Sequence, residues 1–84
     1  MVTSRQVRAA RALLGCNQDL LADKALVALT ALKRLESDRL SVRDATREAV
    51  RKALEAAGIV FLSSGRGEGV MLVWQETRQP DEEA

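Results

Sequence analysis

The 84-residue chain has no histidine and no tyrosine, one cysteine, one phenylalanine and one tryptophan. Each shortage removes a class of function. Without His or Tyr, and with Cys16 at a corner expected to be buried, the side chains that most often do general acid–base or nucleophilic work are missing. There is no GxGxxG, no P-loop and no metal-ligand spacing, so the chain reads as a non-enzyme with no catalytic site, metal or cofactor. A lone cysteine makes no intramolecular disulfide, and Cys16 reads as a small buried hydrophobe. With only one phenylalanine and one tryptophan the chain has almost nothing aromatic for stacking on bases, and RNA ranks low among partners. Nor is there an apolar run of ~18 residues or a signal-peptide core, which points to a cytoplasmic protein with no membrane partner.

What is present is a soluble, globular composition: 46% hydrophobic and 30% charged, enough for one domain with a modest core. The net charge of +1 is unevenly spread. Residues 1–74 carry twelve bases against eight acids, whereas residues 75–84 carry four acids and one base. The expected organisation is a basic folded domain over residues 1–74, followed by an acidic flexible tail over 75–84.

The organising stretch is Asn17 to Glu36, which reads as two short helices joined by a tight corner. Leu21, Ala22 and Ala25 give the first piece one apolar side. In the second, Ala31, Leu32 and Leu35 share a face, and the opposite face carries Leu29, Thr30, Lys33 and Arg34. Upstream, Thr3 and Gln6 form a capping box with Val2 and Val7 as the staple, which predicts a helix from about Ser4 to Leu14 stopped by Gly15. Its inner face is Val7, Ala10 and Leu14, with Arg5, Arg8 and Arg11 on the other side. Downstream, Ser41 with Asp44 repeats the capping logic, Leu40 and Ala45 supply a staple, and a fourth helix is predicted over 42–57, ended by Gly58. Its row of Arg43, Arg47 and Arg51 reads first as a solvated face.

The final unit changes character. IVFL (59–62) and VMLVW (70–74) are β-rich runs flanking SSGRGEG, a β-hairpin with a seven-residue loop. Both runs are apolar throughout instead of alternating, so both faces or an edge need cover. Helices cover one; a second chain is the simplest cover for the other, through a hairpin-to-hairpin homodimer using Ile59, Phe61, Val70, Leu72 and Trp74.

Taken together, RAARALLGCNQDLLADKALVALTALKRLE resembles the lambda-repressor-like, XRE/Cro type of helix-turn-helix DNA-binding domain, over about residues 2–59. The residues that carry the likeness are Arg11, Leu14, Gly15, Asn17 and Gln18, then Leu21, Ala22 and Val27, then Leu32, Lys33, Arg34, Leu35 and Glu36. The resemblance implies a mainly α fold, a four-helix bundle with the hairpin appended. It implies an ion pair between Arg11 and Glu36 and a recognition helix over about 28–36 in the major groove of double-stranded DNA. Ala28, Leu29, Thr30, Lys33 and Arg34 would then meet base edges, and Gln18, Ser37, Arg39 and Arg43 would meet phosphates. As a dimer, such a chain would read an inverted repeat and act as a repressor or activator, with a regulatory protein as a possible partner.

Two positions depart from the family pattern. Leu26 stands where a glycine usually takes positive φ, at about 1 kcal/mol or more, which would reshape the turn. Ala28 stands where a Ser or Thr usually caps the recognition helix, so that helix is expected to start late. A rival reading is a protein-interaction module on the same scaffold, docking another regulator through Leu20, Leu26 and Leu29.

Overall fold

The computed structural model describes residues 2–37 and 42–74. The chain is mainly helical: α1 (Ser4–Leu14), α2 (Gln18–Ala25), α3 (Leu29–Glu36) and α4 (Asp44–Ala56), followed by β1 (Ile59–Ser64) and β2 (Gly67–Leu72). Among the described residues no helix is long and apolar enough to cross a membrane.

The first helix forms where its cap dictates. Thr3 Oγ1 accepts from Gln6 N–H at 3.2 Å and Gln6 Oε1 accepts from Thr3 N–H at 3.0 Å, a reciprocal box that satisfies two otherwise orphaned donors. Gly15 closes the helix at φ 69°, with its own N–H on Ala12 and the Cys16 N–H on the Arg11 carbonyl. This pair of bonds is a Schellman ending.

The core is made by Val2, Val7 and Ala10 from the N-terminal end, Leu21, Ala22 and Ala25 from α2, Leu32 and Leu35 from α3, Val50 and Leu54 from α4, and Ile59 from β1. Every helix therefore contributes the apolar stripe its 3.6-residue period sets up. Partly buried Leu14, Cys16, Val27 and Leu29 pack around it.

The fourth helix begins at Asp44, later than its sequence suggested, with Arg43 as an N-cap that makes no side-chain cap bond. Ser41 of the Ser41–Asp44 box, Leu40 of the Leu40–Ala45 staple, Arg39 and the acidic segment 75–84 lie outside the described residues. Arg47 of the arginine row is no idle solvated cation: its Nη1 donates to the Val2 carbonyl at 2.9 Å and ties α4 to the chain start. Arg51 pairs along its own helix with Glu48 and, at 2.7 Å, with Glu55.

The hairpin differs most from expectation. In place of a seven-residue loop the ladder runs to Ser64↔Gly67, leaving only Gly65 and Arg66 as the turn. Five hydrogen bonds hold these weak strand formers in place. Gln6 Nε2 donates to both the Leu62 and Gly69 carbonyls at 2.9 Å. Glu68 accepts from Thr3 Oγ1 at 2.9 Å and from Arg5 Nε at 2.7 Å. Arg66 N–H reaches Ser64 Oγ at 3.1 Å. Polar side chains of α1 thus extend a sheet that local propensity would have ended at Leu62.

The register also sorts the residues expected at a dimer contact by the face they occupy. Ile59↔Leu72 and Phe61↔Val70 are opposed pairs, and these four pack on the helical core, with Ile59 only 2% exposed. Because strand side chains alternate, the intervening Val60, Leu62 and Met71 are the ones that face outward. Of the five residues expected at a dimer contact, only Trp74 is well exposed.

Candidate nucleic-acid interface

Helix α2 is capped by Asn17, whose Oδ1 accepts from Leu20 N–H at 2.8 Å. It ends on Leu26 in the left-handed region, φ 59° and ψ 42°. Leu26 N–H bonds Asp23 O at 3.2 Å and Val27 N–H bonds Ala22 O at 3.0 Å. These are the same two closing bonds that Gly15 makes at the end of α1, so the corner is not reshaped; a leucine accepts a glycine's conformation. Its side chain is 90% exposed, so no burial compensates for that strain.

After the corner, Ala28 is extended and offers no side-chain cap, and α3 starts at Leu29. Leu32, Leu35 and Glu36 are buried. Leu29 joins them as a partly buried residue packed on the core, since positions three and seven apart fall on one helix face. It therefore leaves the set of outward residues in which it had been placed. Ala28, Thr30, Lys33 and Arg34 remain exposed.

The end of α3 is clamped through Glu36, a carboxylate only 3% exposed. Arg11 Nε and Nη2 donate to its two oxygens at 2.6 and 2.8 Å, a bidentate fork, and Gln18 Nε2 donates at 2.9 Å. Arg8 donates to the Glu36 main-chain carbonyl, and Arg11 also reaches Cys16 O at 3.3 Å. The hydrogen bond to Glu36 raises the pKa of Arg11 still further. Glu36, Arg11 and Gln18 thus lock together the last turn of α3, the last turn of α1 and the first turn of α2. No buried side-chain polar atom among the described residues lacks a partner.

Against this frame, the residues expected to meet phosphates fall into different situations. Arg43 is exposed beside the start of α4. Gln18 already gives an amide hydrogen to Glu36. Ser37 donates its hydroxyl to the Lys33 and Arg34 carbonyls at 2.9 and 3.2 Å, closing α3. A cleft of about 440 Å³ brings Ala28, Ala31 and Arg34 of the α3 side against Arg43, Thr46 and Ala49 of the α4 side. Lys33, Arg34 and Arg43 have no ion-pair partner among the described residues, in contrast to Arg5, Arg11 and Arg51.

Residue-by-residue reading missed the second role of Gln6 and the anchoring of Glu68. Gln6 was legible only as half of a capping box, and Glu68 sat in a stretch that looked like turn chemistry. The signal was present only in part: a Gln at the third helical position has a spare amide, but nothing local says what it will meet 56 and 63 residues away.

No protein-family model matches the chain, and no curated protein matches it in sequence.

Proposed function

We propose that the chain is a lambda-repressor-like, XRE/Cro-type helix-turn-helix regulator that binds double-stranded DNA with α3 in the major groove and reads an inverted repeat as a dimer. The observation that carries this reading is the outward face of α3: Thr30, Lys33 and Arg34 stand exposed and unpaired among the described residues, on a helix whose far end is immobilised by the Arg11–Glu36–Gln18 cluster. Two unpaired cations beside a third, Arg43, on an otherwise nearly neutral chain make a local phosphate-attracting surface. Arg34 has the donor fork that matches guanine O6 and N7, and the Thr30 and Ala28 methyls suit thymine. Packing of the partly buried Leu29 against the core narrows the reading face, so base discrimination rests on Arg34, Lys33 and Thr30. Ser37 would act through its position at the end of α3, because its hydroxyl is already engaged.

The test is selection from a randomised duplex pool with the full chain and an Arg34→Ala variant, followed by a salt titration. Enrichment of an inverted repeat, lost in the variant and weakened steeply by salt, is the expected result. No enrichment at low salt would overturn it.

One observation favours a second reading, a protein-docking module: Leu26 is 90% exposed and Leu20 44%. Packing of Leu29 on the core reduces that patch from three leucines to two. Binding that persists unchanged as salt rises would select this alternative.

A further inference from the structure

The outer face of the hairpin stands apart from the rest of the surface. Its positions are Val60, Leu62 and Ser64 on β1 and Gly67, Gly69 and Met71 on β2, opposed as Val60↔Met71, Leu62↔Gly69 and Ser64↔Gly67. Not one of the six is charged. The charged residue of β2, Glu68, points the other way, held by Thr3 and Arg5. Val60, Leu62 and Met71 are 39%, 46% and 48% exposed, and Val73, which extends the face beyond β2, is 43% exposed.

The face also has a shape. The end joined to α4 is bulky, with Val60 opposite Met71. The end near the turn is hollow, because Gly67 stands opposite the small Ser64 and, like Gly69 beside Leu62 at the centre, leaves open space where a side chain would stand. Neither glycine needs positive φ, so no backbone conformation accounts for their presence. A surface with a ridge at one end and a hollow at the other is complementary to itself after a half-turn perpendicular to the strands. The ridge of each copy then fills the hollow of the other, as an isologous contact requires.

We infer that this face seats a second copy of the same chain, the two hairpins stacking face to face about a two-fold axis with Met71 of each copy over Gly67 of the other and the Leu62–Gly69 pairs meeting at the axis. The inference rests on the DNA reading for why two copies are needed, and on the hairpin alone for where they meet. With four apolar side chains between 39% and 48% exposed, the face is small beside the ~800 Å² per partner of a standard interface. The dimer is accordingly one that dissociates on dilution. The chain's own acidic segment 75–84 is a poorer occupant, since a face without a cation has nothing to hold four carboxylates.

Sedimentation equilibrium of the full chain across a dilution series tests this. The 9.2 kDa chain should approach twice its mass at high concentration. Met71→Lys should raise the dissociation constant at least about 100-fold, because a two-fold contact counts each substitution twice. Far-UV circular dichroism should stay unchanged at this exposed position, as should the urea midpoint of chains diluted to the monomer, where association no longer adds to stability. Gly69→Val, which fills the hollow and suits a strand, should also weaken association. Leu13→Lys and Leu26→Lys, at exposed leucines elsewhere, should leave the dimer intact. A monomer at all concentrations, a dimer indifferent to Met71→Lys, or one dispersed by Leu26→Lys instead would each overturn the inference. The outcome is separable from the DNA reading: Arg34→Ala should abolish selection of duplex while the mass stays dimeric.

Discussion

Leu26 offers the most direct check on the physical account of the α2–α3 corner. It holds φ 59° and ψ 42° with its side chain 90% exposed, whereas Gly15 holds φ 69° and ψ 29° in the same pair of closing bonds. A β-carbon in the left-handed region costs roughly 1–2 kcal/mol. Leu26→Gly removes that strain and loses almost no burial, but the more flexible unfolded chain takes back about 0.5–1 kcal/mol. The net expectation is a gain of about 0.5–1 kcal/mol. With a urea dependence of about 1 kcal/mol per molar for a domain this small, the unfolding midpoint should rise by about 0.5–1 M at unchanged slope. Gly15→Ala is the mirror experiment. A methyl there meets nothing within 4 Å, so its cost is conformational only, about 1 kcal/mol in the opposite direction. Leu26→Ala keeps the strain and removes the side chain, and should change little. A Leu26→Gly midpoint below that of the parent would refute the reasoning. It would mean that the leucine side chain makes contacts worth more than the strain, as a docking surface formed between copies would.

Other outcomes follow from the same structure. Arg11→Ala should destabilise the fold by roughly 3 kcal/mol in denaturant unfolding, because it leaves the buried Glu36 carboxylate with Gln18 as its remaining side-chain donor. Gln6→Ala should cost about 1–3 kcal/mol, since one amide serves both the α1 cap and two strand carbonyls, and hydrogen exchange should quicken at Leu62 and Gly69 before it does in α4. Bonds from Arg5 and then Thr3 hold the Glu68 carboxyl below its ordinary pKa. A folded-state pKa below the unfolded one stabilises above the unfolded value, and that contribution disappears as pH falls through the lowered folded value. Acid unfolding of Glu68→Gln should therefore be less steep across the carboxylate range, and a carboxyl titration of Glu68 at the ordinary glutamate value would contradict the pairing.

Much of the helical framework was readable locally because its signals are local. A Thr–Gln box, a Gly stop and apolar residues at helical spacing lie within a turn or two of what they determine, and α1 runs over the predicted Ser4–Leu14. The outward set on α3 was mostly legible for the same reason. Leu29 was the exception, because a helix face is a continuous angle and only the packed neighbours show where the core's edge falls.

The hairpin is where tertiary structure decided. Its apolar runs announced two strands, but with both faces apolar the period-two pattern carried no information about which face was inward. Contact with the helices chose Ile59, Phe61, Val70 and Leu72 for the core. Ser63, Ser64, Gly67, Glu68 and Gly69 read as loop by propensity, yet Gln6, Thr3 and Arg5 reach across more than fifty residues and make strand of them. Caps and periods act within a turn and are written in the order of residues. Register and inward face depend on bonds between distant segments, which exist only once the chain has folded.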